Sequence, residues 1–172
     1  MTQMFREDGK AEPVTLVFAE PVEVSLIRTR EKDGYSAFQV KQNRVRREVR
    51  LRDAAGAHAV GSSLTVSQFA VGDRVTIASI SKSKGFQGGV KRHGFHGASS
   101  THGVKHAHRQ PGSIGAGGVQ RVLKGQRMAG RMGGERVTMR GVRVVNVYPD
   151  KHIIALKGGI PGHRGSLIEI KG

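Results

Sequence analysis

Cysteine and tryptophan are absent from this 172-residue chain, and two tyrosines and six phenylalanines supply all its aromatic area. Without cysteine there is no disulfide framework, no thiolate zinc site and no thiol nucleophile. Long hydrophobic runs are missing as well. The longest, Val14 to Ala19, is interrupted by Thr15 and is far too short to span a bilayer as a helix. The opening MTQMFREDGK lacks the apolar stretch of a secretory signal, so a soluble intracellular chain with no membrane partner is expected. Negative charge is the most informative shortage. From Arg74 to Gly134, 61 consecutive residues contain no Asp or Glu.

That stretch is basic instead. It holds 11 Lys and Arg, 14 of the 25 glycines and five of the eight histidines, within a chain of net charge +16. Residues 1–73 are nearly balanced, with 11 basic and 10 acidic side chains. Such a surplus repels itself unless a polyanion neutralises it, which points to nucleic acid. Beyond Ile80 the stretch has neither strand nor helix periodicity, and its only aromatics are Phe86 and Phe95. It cannot bury enough apolar area to offset its ordering entropy. A loop of this length is functional or, alone, disordered. Its non-repetitive mixture of Phe, Ile, Val and Met with Gly and Arg favours an extension that folds against a polyanion over a plain flexible linker.

The flanks read as short strands and turns. Strands are expected at Val14–Ala19, Val22–Arg28, Tyr35–Lys41, Glu48–Arg52, Leu64–Phe69, Arg74–Ile80, Ile153–Lys157 and Leu167–Ile170. Turns fall at Lys32-Asp33-Gly34, Val71-Gly72-Asp73 and Tyr148-Pro149-Asp150. Val137 and Met139 share one phase and Val142 and Val144 the other, which marks Gly141 as a β-bulge. The expected fold is mainly β: a small antiparallel barrel carrying a long irregular internal extension rich in Gly, Lys, Arg and His. Residues 1–80 and 135–172 would form the barrel, and residues 81–134 the extension.

Each motif has a plainer rival. His93, His96, His102, His106 and His108 have no carboxylate or cysteine nearby in sequence to complete a zinc set, so stacking on bases or bonding to phosphates is the better use. No metal and no cofactor are expected. Gly115 to Gln120 lacks the last glycine of a dinucleotide fingerprint, and no P-loop spacing occurs. Lys84-Gly85-Phe86 begins like an RNA-recognition stacking strand, but Gly88 stands where the next aromatic belongs. A catalytic base with its orienting carboxylate is also missing, so neither an enzyme nor a small-molecule substrate is expected. Arg44, Arg46, Arg47, Arg50 and Arg52 are either a solvated strand edge or a rim of phosphate contacts.

The strings KSKGFQGGVKRHGF, HRQPGSIG and LKGQRMAGRMGGERVT closely resemble the large-subunit ribosomal protein family L-three in its bacterial form, as do both chain ends. The resemblance implies a six-stranded barrel like that of translation-protein domains, on the large-subunit surface. It also implies an extension reaching through 23S-type ribosomal RNA toward the peptidyl transferase centre, with neighbouring large-subunit proteins as further partners, in the cytoplasm. By position, Lys82, Lys84, Lys91, Arg92, His93, Lys105, His106, His108, Arg109, Arg121, Lys124, Arg127, Arg131 and Arg136 match RNA-contacting residues, and Pro111, Gly112, Ser113, Ile114 and Gly115 the innermost tip. His96 and His102 join the set as imidazoles of the same segment.

Three departures accompany the likeness. Bacterial members carry further residues before the position of Met1 that supply a first strand, and a helical insert where this chain is short, between Gln42 and Ala59. Some carry a modifiable glutamine just past the tip; Ala116, Gly117 and Gly118 stand here, so no such modification is expected. A structural ribosomal protein that supports early subunit assembly is the leading reading. A free RNA or DNA chaperone is its rival.

Overall fold

The computed structural model describes residues 1–51 and 59–172. Arg52, the last member of the arginine cluster and of one expected strand, lies outside the described residues. In chain order the elements are β1 (Thr2–Phe5), β2 (Ala11–Phe18), β3 (Val22–Arg28), α1 (Arg30–Asp33), β4 (Ala37–Gln42), β5 (Val45–Arg50), β6 (Ser63–Leu64) and β7 (Arg74–Ile80). There follow β8 (Phe86–Gln87), α2 (Gly89–His93), β9 (Gly130–Arg131), β10 (Arg136–Tyr148), β11 (Ile153–Lys157) and β12 (Ile168–Lys171). The fold is mainly β.

Hydrogen-bonded neighbours run β1-β2-β11-β10-β7-β12 in a six-stranded sheet and β5-β4-β3-β6 in a four-stranded sheet, with β8 and β9 as a separate ribbon. The expected closed barrel is not found among the described residues. β1 and β12 are the two ends of the larger sheet, and β3 and β4 pair within a sheet of their own rather than extending that ladder.

The chain divides into two compact units, residues 1–77 with 139–160 and 170–172, and residues 78–138 with 161–169. In the first unit the core is aliphatic: Val14, Val24, Val75, Ile77, Val144, Ile154 and Leu156 are fully buried. Val24 comes from β3 and the others from β2, β7, β10 and β11; in β11 the consecutive residues Ile154, Ala155 and Leu156 are all buried, so that strand is covered on both faces. β10 shifts register against β11 between Val144 and Asn146, and Gly141 takes φ +72°. Before it Val137 and Met139 are exposed, and after it Val142 and Val144 are buried.

Three elements depart from the sequence expectation. Leu64–Phe69 is no strand: after β6 comes a 3-10 turn, Val66–Gln68. Local bonding wins there, because the Thr65 and Ser67 hydroxyls bond each other and Asp73 accepts from the Ala70 amide. β4 and β5 meet in a two-residue turn at Asn43-Arg44, with Asn43 at φ +52°, so β5 begins at Val45 rather than Glu48. β1 was unmarked by alternation, yet it pairs with β2 through a turn in which Gly9 takes φ +77° and its amide donates to the Arg6 carbonyl.

Burying a carboxylate is expensive unless cations surround it. Glu12 on β2 is 4 % exposed and takes three of them. Arg6 Nε donates to Oε2 at 2.7 Å, Arg143 Nη2 to Oε1 at 2.5 Å, and Lys157 Nζ lies 3.1 Å from Oε1. The Arg6 hydrogen bond, with those from Lys157 and Arg143, holds Glu12 far below the ordinary carboxylate range against the opposing pull of burial. A lowered folded-state pKa stabilises the fold above the unfolded value, and that contribution disappears as pH falls through the folded value. Glu12→Gln is therefore expected to lower Tm at neutral pH by roughly 2–6 °C. The gap from wild type should begin to narrow once pH falls below the ordinary carboxylate range and should keep narrowing toward the lowered folded value. Thermal melts from pH 7 down to pH 2 check this, and an equal Tm for the two proteins at pH 7 would refute it.

Candidate nucleic-acid interface

Residues 81–134 lie in the second unit, and a backbone ladder forms their base. The Ser81 amide donates to Glu135 O at 2.9 Å, Gly134 to Ser81 at 3.2 Å, Lys84 to Met132 at 2.9 Å and Met132 to Gly85 at 3.0 Å. The β8–β9 ribbon continues it, setting Phe86 opposite Arg131 and Gln87 opposite Gly130. Sequence periodicity could not reveal a ribbon of two-residue strands separated by more than forty residues, nor a helix as short as α2.

Glycine makes the base possible. Gly133, at φ +72°, lies so close to the Lys82 carbonyl that a Cβ there would collide with it. Gly97, at φ +76°, is pressed against the His108 carbonyl in the same way, beside an Ala98-to-His108 backbone bond of 3.0 Å. The two chain segments are also pinned by side chains from α2. Arg92 Nη1 and His93 Nε2 both donate to the Met128 carbonyl, at 2.7 and 2.9 Å, and the His93 ring packs 5.7 Å from Phe95.

Farther out the bonding is local. Between Arg109 and Arg127 the backbone closes only short turns, Val119 to Ala116 and Gln126 to Leu123. Every residue from Pro111 to Arg127 is exposed. At the tip, Gly112 takes φ +79° and the Ser113 hydroxyl donates to the Gly115 carbonyl at 2.9 Å. A Cβ at Gly115, Gly117 or Gly118 would meet nothing within 4 Å, and none of the three has a positive φ. Ile114, Val119, Val122 and Leu123 present apolar surface there.

Of the sixteen candidate contact residues, Arg92 and His93 are half-buried as pins, and the other fourteen are exposed. Arg136 is committed to a bidentate pair with Glu169, at 3.0 and 2.5 Å, whose hydrogen bonds raise its pKa. His108 Nδ1 donates to Ser99 O at 3.1 Å. Arg131 lies along Gly134. Among the described residues no three of His, Asp and Glu gather in a group that could hold a metal ion. Phe86 is the residue that the motif reading passed over: it is 77 % exposed on β8, opposite Arg131. The signal was the KGF string, set aside because Gly88 followed.

These features describe a basic, mainly β chain whose long insert presents cations and small apolar groups. The model of the family Ribosomal protein L3 matches residues 25–152. A large ribosomal subunit protein uL3 from Carboxydothermus hydrogenoformans is 43% identical, with 99% of this chain and 92% of that protein covered. The uL3 proteins of Acidothermus cellulolyticus and Herpetosiphon aurantiacus are 43% and 40% identical, covering 99% of this chain and 87% and 91% of their own lengths. The chain belongs to the ribosomal protein L3 family. That family consists of structural ribosomal proteins, and the chain is not an enzyme. The first match runs over 194 positions against 172 residues here, so at least 22 positions are occupied only in the relative. No helix among the described residues is long and apolar enough to cross a membrane.

Gly133→Ala tests the base. Its methyl group would enter the Lys82 carbonyl in a backbone region that L-residues rarely adopt. Hydrogen exchange should then speed up at the Ser81, Lys84, Met132 and Gly134 amides by about tenfold or more, the equivalent of ~1.4 kcal/mol. The amides of Val75 and Ile77 should keep their protection. Unchanged exchange at the four base amides would show that the close approach is not structural.

Proposed function

We propose that this chain is a structural constituent of the large ribosomal subunit, residing on cytoplasmic ribosomes. In this reading it binds large-subunit ribosomal RNA through residues 81–134, supports early assembly and buttresses the region near the peptidyl transferase centre. Neighbouring large-subunit proteins are further partners. The observation that carries the reading is the carboxylate-free segment: its cations are almost all exposed, and the acidic side chains that could answer them are absent from 61 residues. Lys and Arg would neutralise phosphates and release counterions, while glycine-rich backbone threads between RNA helices. Membership of the ribosomal protein L3 family supports the ribosomal setting. Residues 1–80 with 135–172, read as a translation-protein-like body, would anchor the segment.

Two roles separate along the extension. The flanks of Pro111–Gly118 carry charge, whereas that segment carries none. Affinity is therefore assigned to the flanks and shape to the tip. Nothing within the chain demands glycine at 115 or 117, where a Cβ meets open space. The demand is assigned to closely apposed RNA.

Binding to a transcript of bacterial large-subunit rRNA should have a steep salt dependence. If about six to eight of the 11 basic residues between Arg74 and Gly134 meet phosphates, the log–log slope is roughly −4 to −7. Replacing Lys124, Arg127 and Arg131 together by Gln should flatten it by about 2–3 units. A slope near zero in the wild-type chain would remove the electrostatic anchor.

Gly115→Val with Gly117→Val should leave the free protein's Tm unchanged and first-step RNA affinity within about tenfold, since one or two close contacts contribute on the order of 1 kcal/mol each. The defect should appear in reconstituted subunits, as slow maturation or weakened peptidyl transfer. Normal assembly and activity would make the tip a passive filler.

A further inference from the structure

Residues 161–169 belong to the same compact unit as residues 78–138, although the two stretches are distant in sequence. The sheet order explains why. β7 carries the chain out to the insert, β10 receives it on return, and β12 lies along the other side of β7. The residues that lead into β12 therefore pass both roots of the insert.

Their contacts reach both roots. On β7 the Ser79 hydroxyl, in a residue only 5 % exposed, donates to the Leu167 carbonyl at 2.7 Å. Arg136, the first residue of β10, donates to both Glu169 oxygens at 3.0 and 2.5 Å. Since β10 and β12 flank β7, this pair crosses over the strand between them, a separation of roughly 10 Å between strand axes. Immediately beyond lie the first bonds of the insert's base, Ser81 to Glu135 and Gly134 to Ser81. Gly162, at φ +106°, lets the segment fold back on itself: a Cβ there would collide with Ser166 Oγ and come within 3.0 Å of Ser79 Oγ. The Ser166 amide closes the turn onto the His163 carbonyl at 3.1 Å.

Apolar burial contributes little to this closure. None of residues 161–169 is fully buried, and Leu167 is 47 % exposed. Ser166 Oγ is enclosed without a hydrogen-bond partner among the described residues, which opposes closure. The Arg136 guanidinium is half-exposed, so its pair with Glu169 is open to screening by salt.

We infer that residues 161–169 are a strap over the root of the insert, closed by the Arg136–Glu169 pair and released by ionic strength. Closed, it holds the outgoing and returning segments together at Ser81 and Gly134. Open, those two bonds fray while the deeper sheet stays paired. Arg136 is then a positioning residue within the chain, in place of the phosphate contact expected from the sequence. The inference concerns the free chain and does not depend on RNA binding.

Hydrogen exchange on the full chain, without RNA, tests it. Glu169→Gln and Arg136→Gln should each speed exchange at the Ser81 and Gly134 amides by about threefold to fivefold, the upper range for an exposed ion pair of good geometry. The Ile154 and Leu156 amides should be unchanged. Exchanging the two charges, Arg136→Glu with Glu169→Arg, should bring the rates back to within about twofold of wild type. Raising KCl from about 0.1 to 1 M shortens the screening length from roughly 10 to 3 Å. It should speed the same two amides in the wild type, relative to Ile154 and Leu156, and leave them unaffected in both single variants. The wild-type salt series needs no substitution, so it decides the matter even where a variant unfolds. Wild-type rates at Ser81 and Gly134 in both single variants, or salt-independent rates there in the wild type, would overturn the strap. Acceleration that spreads equally to Ile154 and Leu156 would overturn it too, since the pair would then serve the stability of the whole fold.

Discussion

Positive charge without internal counter-charge is the constraint around which this chain is organised. Several of the chain's carboxylates are held by its own cations. Glu12 collects Arg6, Arg143 and Lys157, Arg28 draws on Glu48 and Asp33, and Glu169 holds Arg136. Between Arg74 and Gly134 no such partner is available in sequence. Order there comes from backbone bonds, from two side chains converging on the Met128 carbonyl, and from glycines that permit close approach. These devices leave the cations facing solvent, where a polyanion can reach them.

Glycine has two distinct uses within the insert. Gly97 and Gly133 are required by the chain itself, because a neighbouring carbonyl occupies the space of a side chain and φ is positive. Gly115, Gly117 and Gly118 have ordinary backbone angles and open surroundings. The base of the insert is thus shaped by the protein, and the outer part has no internal reason for its composition. A segment whose base is set in advance loses less entropy on binding than one that orders along its whole length.

The β character of the flanks was legible because Val22–Arg28, Arg74–Ile80 and Ile153–Lys157 are marked by alternation or by short apolar runs. Closure of a barrel was not legible, since alternation says which face is buried and not which strand lies alongside. The 3-10 turn at Val66 was hidden because β-branched residues favour a strand while the Thr65, Ser67 and Asp73 side chains bond locally. The cations of the candidate interface could be read directly from the charge gap. Their division into exposed residues and pins could not, because Arg92 and His93 owe their roles to Met128, distant in sequence. Nor was the exposure of Phe86 legible, because β8 pairs with a strand more than forty residues away that no local motif encodes.

The central claim is that this charge is answered by ribosomal RNA within the large subunit. Sedimentation of the tagged full-length chain from cell extract through a high-salt sucrose gradient tests it most directly. Co-migration with large subunits that survives the wash is the result this account predicts, because many phosphate contacts and a threaded segment would release together only when the RNA unfolds. A chain found wholly in the slow-sedimenting free pool, with subunits that lack it, would contradict the account and favour a free nucleic-acid chaperone.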